Sequence, residues 1–247
     1  MNRRGLAVSI LFALVLLLAR TTASAQDFQK TYRIGAGSQI KVGNVSGDVI
    51  VTGYDGDAII VRGIKKGRDA DLLEIEDRSA SNNVDIGVRY PKHCNNCNAS
   101  VRFEVQVPRS MSFDDHFTSV SGDVHVTGVT GRLHASAVSG DVHVKDVSGS
   151  VSASAVSGDV TVEIDRLEGA DDMKFSTVSG DVSVSLPSNL DADVDMSSFS
   201  GSIKTDFPVE VRSERFGSRN WARGKLGDGS RRLRISTVSG DLSLRHP

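Results

Sequence analysis

Three groups of residues in this chain have the types and spacing for chemistry. The first is a column of aspartates: Asp48, Asp123, Asp141, Asp159, Asp181 and Asp241, each the fourth residue of a Val-Ser-Gly-Asp unit. Asp123, Asp141, Asp159 and Asp181 belong to serial units and should lie above one another if the units stack. Stacked carboxylates repel unless water screens them or a cation sits between the rungs. Calcium is the natural cation, because it takes several oxygen ligands. The competing role is structural: Asp closes turns by bonding nearby backbone. The units lack the second glycine and the aspartate spacing of calcium β-roll repeats, so the structural role takes precedence.

The second group is His93-Cys94-Asn95-Asn96-Cys97, which holds both cysteines of the chain. A disulfide between Cys94 and Cys97 leads, since paired thiols are usual in exported proteins. A metal site would need a further ligand, and a redox pair would need a helix start to lower one thiol's pKa. The third group is the basic run 212–234. Arg212, Arg215, Arg219 and Arg223 surround Trp221, the one tryptophan. Basic residues interleaved with aromatics suit an anionic polymer. The alternative is a solvated cap anchored by its aromatics. His125 and His143 stand 18 residues apart. Thr161 and Ser183 follow them in that column and are poor ligands, so a polar surface ladder is the simpler expectation. His134 falls in the other half-unit and should face elsewhere. The chain lacks a Gly-x-Ser-x-Gly elbow and a His-Glu-x-x-His pair.

The elements that must position these residues follow from a repeat. Val-Ser-Gly-Asp-Val begins at Val120, Val138 and Val156, with weaker copies starting at Val129 and Val147, so the period is 18 residues with a half-period of 9. Residues 120–137 and 138–155 agree at 12 of 18 positions. A fixed period marks a stacked, quasi-one-dimensional protein. Within each unit the fourth and sixth positions after the opening valine are apolar and the fifth is polar, as in Val124-His125-Val126 and Val142-His143-Val144. That is a short strand with one buried face. Ser-Gly-Asp between strands is turn chemistry. The expected fold is therefore an all-β solenoid of about 18-residue coils, with irregular strands at the ends. The array spans 112–205, with four extra residues around 167–172, and is interrupted at 64–107 and 208–234. The expected strands in the first interruption are Leu73–Glu76, Val84–Tyr90 and Val101–Val107, with a helical turn at 69–73. Such segments would blunt the exposed strand edges of the stack.

Arg3 and Arg4, the apolar run 6–19 and Ala23-Ser24-Ala25 have the form of a secretory signal peptide cleaved after Ala25. Residues 26–247 would then form one extracytoplasmic domain in the periplasm, on the surface or released, without stable membrane insertion. Net charge is −2, so bulk charge gives no reason to expect a nucleic-acid partner.

The order of these features resembles a known family. A leader precedes a first Val-Ser-Gly-Asp-Val unit. Tyr90-Pro91, a loop and a strand ending at Val107-Pro108 follow, then serial units. Gly227-Asp228-Gly229 finally leads into Ser236-Thr237-Val238-Ser239-Gly240-Asp241. This is similar to the bacterial adhesin-like family of β-strand repeat proteins, the domain of unknown function 4097. The resemblance implies an exported β-solenoid with an adhesive role, and brings no catalytic residues with it. The expected function is non-catalytic binding of an envelope polysaccharide or a surface protein. A polysaccharide-acting enzyme and an envelope-stress accessory protein are the alternatives.

Overall fold

The computed structural model describes residues 28–92, 97–213 and 220–247; the leader lies outside them. The opening section holds β1 (Phe28–Tyr32), β2 (Gln39–Ser46), β3 (Val49–Tyr54), β4 (Ile59–Lys66), β5 (Glu74–Asp77), β6 (Asn83–Arg89) and β7 (Ser100–Pro108). A single 3-10 turn at Ala70–Leu72 stands where the helical turn was expected. The array holds β8 (Ser112–Ser121), β9 (Val124–Thr127), β10 (Thr130–Ser139), β11 (Val142–Ser154), β12 (Val160–Arg166), β13 (Met173–Ser176) and β14 (Val182–Ser185). The closing section holds β15 (Ala192–Ser200), β16 (Ile203–Thr205), β17 (Glu210–Ser213), β18 (Asn220–Leu226), β19 (Arg231–Ser239) and β20 (Leu242–Arg245).

The fold is a β-solenoid in which each coil supplies one strand to each of two parallel ladders. One ladder runs β6, β2, β8, β10, the second half of β11, β13, β19, β15. The other runs β7, β3, β9, the first half of β11, β12, β14, β20, β16. β11 belongs to both because its backbone turns the corner at Asp146, the one described non-glycine residue with positive φ (52°). The extra residues of the third coil form the loop between β12 and β13.

Coil order along the stack departs from chain order at both ends. β2 and β3 lie inside β6 and β7, and the last strands, β19 and β20, slide between the 173–185 coil and the 192–205 coil. Antiparallel strands then cover the ends. β4 pairs with β7 and β1 with β4, and β5 pairs with β6. At the far end β18 pairs with β15 and β17 with β18. An open parallel ladder would present unpaired N–H and C=O groups to other chains, and these additions replace it with short edges.

Inward residues of the two ladders fill a thin core. Val124, Val126, Val142, Val144, Val160 and Val162 line one side, and Leu133, Ala135, Val151, Ala153 and Phe175 line the other, all essentially buried. The valine that opens each unit is not part of it. Val120, Val138, Val156, Val178 and Val238 are 44–49% exposed, because they sit at the corner before the turn. The glycine two residues further on is dictated by stacking. At Gly158, φ is +155° and a Cβ would lie 2.1 Å from the carbonyl oxygen of Gly140 in the coil below. No side chain fits there, and the same holds up the corner: Gly47 rests on Val101, and Gly122, Gly140, Gly158, Gly180, Gly240 and Gly201 each rest on the glycine of the neighbouring coil.

Candidate functional site

The aspartate column forms as expected and extends through the stack. Asp48 Oδ1 accepts the backbone N–H of Asp123 (3.2 Å), Asp123 that of Asp141 (2.9 Å), Asp141 that of Asp159 (2.8 Å), and Asp159 that of Asp181 (2.8 Å). Asp181 then accepts from Asp241 and Asp241 from Ser202, both at 2.7 Å. Each carboxylate is thus a staple from one coil to the next, bonded to an N–H that a tight turn leaves without a partner in its own coil. The bond from Ser202 holds the Asp241 carboxyl below the usual carboxylate range. Among the described residues, the triads of potential metal ligands are Asp114, His116 and His134, and Asp146, Glu163 and Asp165. Neither draws on the column.

The basic run divides. Arg215 and Arg219 lie outside the described residues. Arg231, Arg232 and Arg234 belong to β19, inside the stack rather than over its end. Arg212, Trp221 and Arg223 lie on the covering hairpin β17–β18. The guanidinium carbons of Arg212 and Arg223 stand 5.6 and 5.4 Å from the Trp221 ring centre, within cation–π range. Arg212 also pairs with Glu210 at 2.6 Å and Arg223 with Asp195 at 3.1 Å. The tryptophan is therefore held between strands by arginines whose charges are already met, which suits a cap. Cys97 is disulfide-bonded; Cys94, the other cysteine of the chain, lies outside the described residues.

Four of the six histidines form two stacked pairs, one on each ladder. His125 and His143 pair on the β9–β11 side with centroids 4.9 Å apart, each next to the carboxylate two residues before it, Asp123 or Asp141, at 3.8 Å. His116 and His134 pair on the β8–β10 side at 4.6 Å. Asp114 Oδ1 lies 3.4 Å from His116 Nε2 and is buried without a hydrogen-bond partner. Burial holds the His134 imidazole below its ordinary pKa, and the His116 ring beside it acts the same way. Counting columns from Val120 leaves His116 out, because it precedes the first full unit; subtracting 18 from His134 finds it.

This second pair belongs to an outward row that crosses the ladder: Lys41, His116, His134, Ser152, Lys174 and Arg234 are register partners in turn. Two residues further along each strand runs a hydroxyl row, Thr118, Ser136, Ser154, Ser176 and Ser236. Between them lies a groove of about 410 Å³ lined by residues from His116 to Ser176.

Asp115 is the other residue missed by repeat counting. It takes the inward position of β8, between Ile40 and Leu133. It is 1% exposed, and its Oδ1 has no hydrogen-bond partner. Burial pushes its carboxyl well above the usual range, and the Asp114 charge adds to the effect.

The Toastrack DUF4097 family model matches residues 38–245. A crystal structure of a candidate cell adhesion protein from Clostridium sporogenes is similar at 10% identity, with a TM-score of 0.45, over 90% of this chain and 100% of the other. A candidate adhesin from Bacteroides fragilis is similar at 14% identity, with a TM-score of 0.39, over 90% of this chain and 98% of the other. No curated protein matches the chain. Among the described residues no helix is long and apolar enough to cross a membrane.

Proposed function

The chain belongs to the Toastrack DUF4097 family, and on that premise we propose that it is an exported, non-catalytic scaffold that binds an envelope polysaccharide along the outer face of the β8–β10 ladder. One observation carries this: the cationic and imidazole row beside the hydroxyl row, running from Lys41 to Arg234 across successive coils. Parallel strands repeat at about 4.8 Å, a step comparable to one residue of an extended glycan. Hydroxyls at that interval can meet successive sugar hydroxyls, and Lys41, Lys174 and Arg234 can meet acidic groups. Regular strands hold these groups in place before binding, which lowers the ordering cost of association.

The leader-like residues 1–25 support export to the periplasm or cell surface. The groove runs along the stack, with lining residues from β8, β10, β11 and β13, which suits holding an extended chain. The cap residues Arg212, Trp221 and Arg223 form the alternative binding surface. The test is binding of purified protein to acidic envelope glycan by calorimetry. A Lys41, Lys174 and Arg234 triple alanine variant should lose binding while a Trp221→Ala variant keeps it. Binding lost only in Trp221→Ala would move the site to the cap, and release of reducing ends or unsaturated products would replace the scaffold with an enzyme.

A further inference from the structure

We propose that Asp114, His116 and His134 form a binding site for a divalent transition-metal ion of the zinc class. Their ligand atoms already lie within 4.8 Å of one another. Ligands around a tetrahedral zinc, at bonds of about 2.0–2.2 Å, are separated by roughly 3.3 Å. Rotation of partly exposed side chains closes that gap without moving the backbone. Two imidazoles and one carboxylate are a donor set that zinc and its neighbours prefer over calcium or magnesium.

The site is built by the stack. His116 and His134 are register partners on β8 and β10, so the ladder fixes their spacing. Asp114 stands two residues before His116 on the same face of β8. An independent observation points the same way: Asp114 Oδ1 is buried beside His116 and has no hydrogen-bond partner. That oxygen faces His116 Nε2 at 3.4 Å without a hydrogen bond to it, and a metal ion between the two would give it a partner. Arg132, the register partner of Asp114, does not satisfy that oxygen and is turned to Asp171 at 3.1 Å. The groove beyond His134 leaves a coordination position open to water or to a donor group of a bound molecule. The opposite pair, His125 and His143, lacks this grouping and serves as an internal control.

The test is titration of tag-free, metal-free protein with zinc chloride by calorimetry, with cobalt as a spectroscopic substitute. The expected result is one equivalent bound per chain. It should weaken by about tenfold or more, the least that loss of a direct ligand should cost, in His116→Gln, His134→Gln and Asp114→Asn. The His125→Gln/His143→Gln double variant should bind as the parent does. Visible cobalt bands should appear in the parent and disappear in His116→Gln. Thermal melts of the metal-free variants confirm that each is folded. Absence of saturable binding in the parent overturns the proposal, as does equal affinity in folded His116→Gln and His134→Gln.

Discussion

Replacing Asp115 with leucine should stabilise the protein by about 2 kcal/mol at neutral pH, the balance of three contributions. The residue is 1% exposed between Ile40 and Leu133, and one carboxyl oxygen has no partner. Removing an unsatisfied buried polar group recovers about 1–3 kcal/mol. Burying a leucine side chain adds about 1.5–3 kcal/mol, and fitting its extra volume into a packed core costs about 1–3 kcal/mol. The gain must also depend on pH. The native carboxyl is held well above the usual range by burial, so between the ordinary carboxylate pKa of about 3.9 and the raised native value the folded state holds a proton that the unfolded state has lost. Stability of the parent therefore falls as pH rises through that window, by up to about 1.4 kcal/mol per pH unit. The leucine variant lacks this dependence, so its advantage should be larger at pH 7.5 than at pH 4.5. Urea midpoints by circular dichroism at the two pH values measure it. A leucine variant less stable than the parent at pH 7.5, or an advantage equal at both pH values, would refute the reasoning.

Four further outcomes follow from the corner and the loop. Gly158→Ala should cost about 3 kcal/mol or more, from positive φ and a Cβ driven against the Gly140 carbonyl. Gly35→Ala, with nothing near its Cβ, should stay within about 0.5 kcal/mol; thermal melts compare the two. Asp159→Ala should cost about 1–2 kcal/mol by removing the acceptor of the Asp181 N–H, whereas Asp159→Asn keeps an acceptor and should cost less. If the column is a set of staples, the parent melts at the same temperature in millimolar calcium and in chelator; a higher melt with calcium would put an ion on the column. Thiol titration of unreduced protein under denaturant should find no free thiol, and two reactive thiols would exclude the Cys94–Cys97 bridge.

The repeat made the coils legible because each column answers to one local constraint. Val124 and Val126 alternate with His125 because one strand face is buried. Gly158 is glycine because the coil below leaves no room for a Cβ. Asp159 is aspartate because the next turn presents an unpaired N–H. The strands of the first interruption and the turn at Ala70–Leu72 were legible for similar local reasons. The order of the coils was not. Val238-Ser239-Gly240-Asp241-Leu242 carries the same stacking surfaces as the serial units, so nothing within it says that β19 and β20 lie between the 173–185 and 192–205 coils. Pairing between distant segments decides that. Arg231 and Arg232 read as cap residues for the same reason, although β19 places them inside the stack. The His116–His134 pair is hidden because His116 precedes the first full serial unit, which opens at Val120, and Asp115 because a polar residue in an inward column breaks the pattern by which inward columns are recognised.

The most direct test of the proposed function is a binding titration. Purified protein is incubated with envelope fractions of its own organism, alongside the Lys41, Lys174 and Arg234 triple alanine variant and a Trp221→Ala variant, each with its melt recorded. Saturable binding to an acidic glycan fraction, lost in the triple variant and kept in Trp221→Ala, is the expected result. Absence of saturable binding to any glycan fraction, or equal binding by the parent and a folded triple variant, would contradict it.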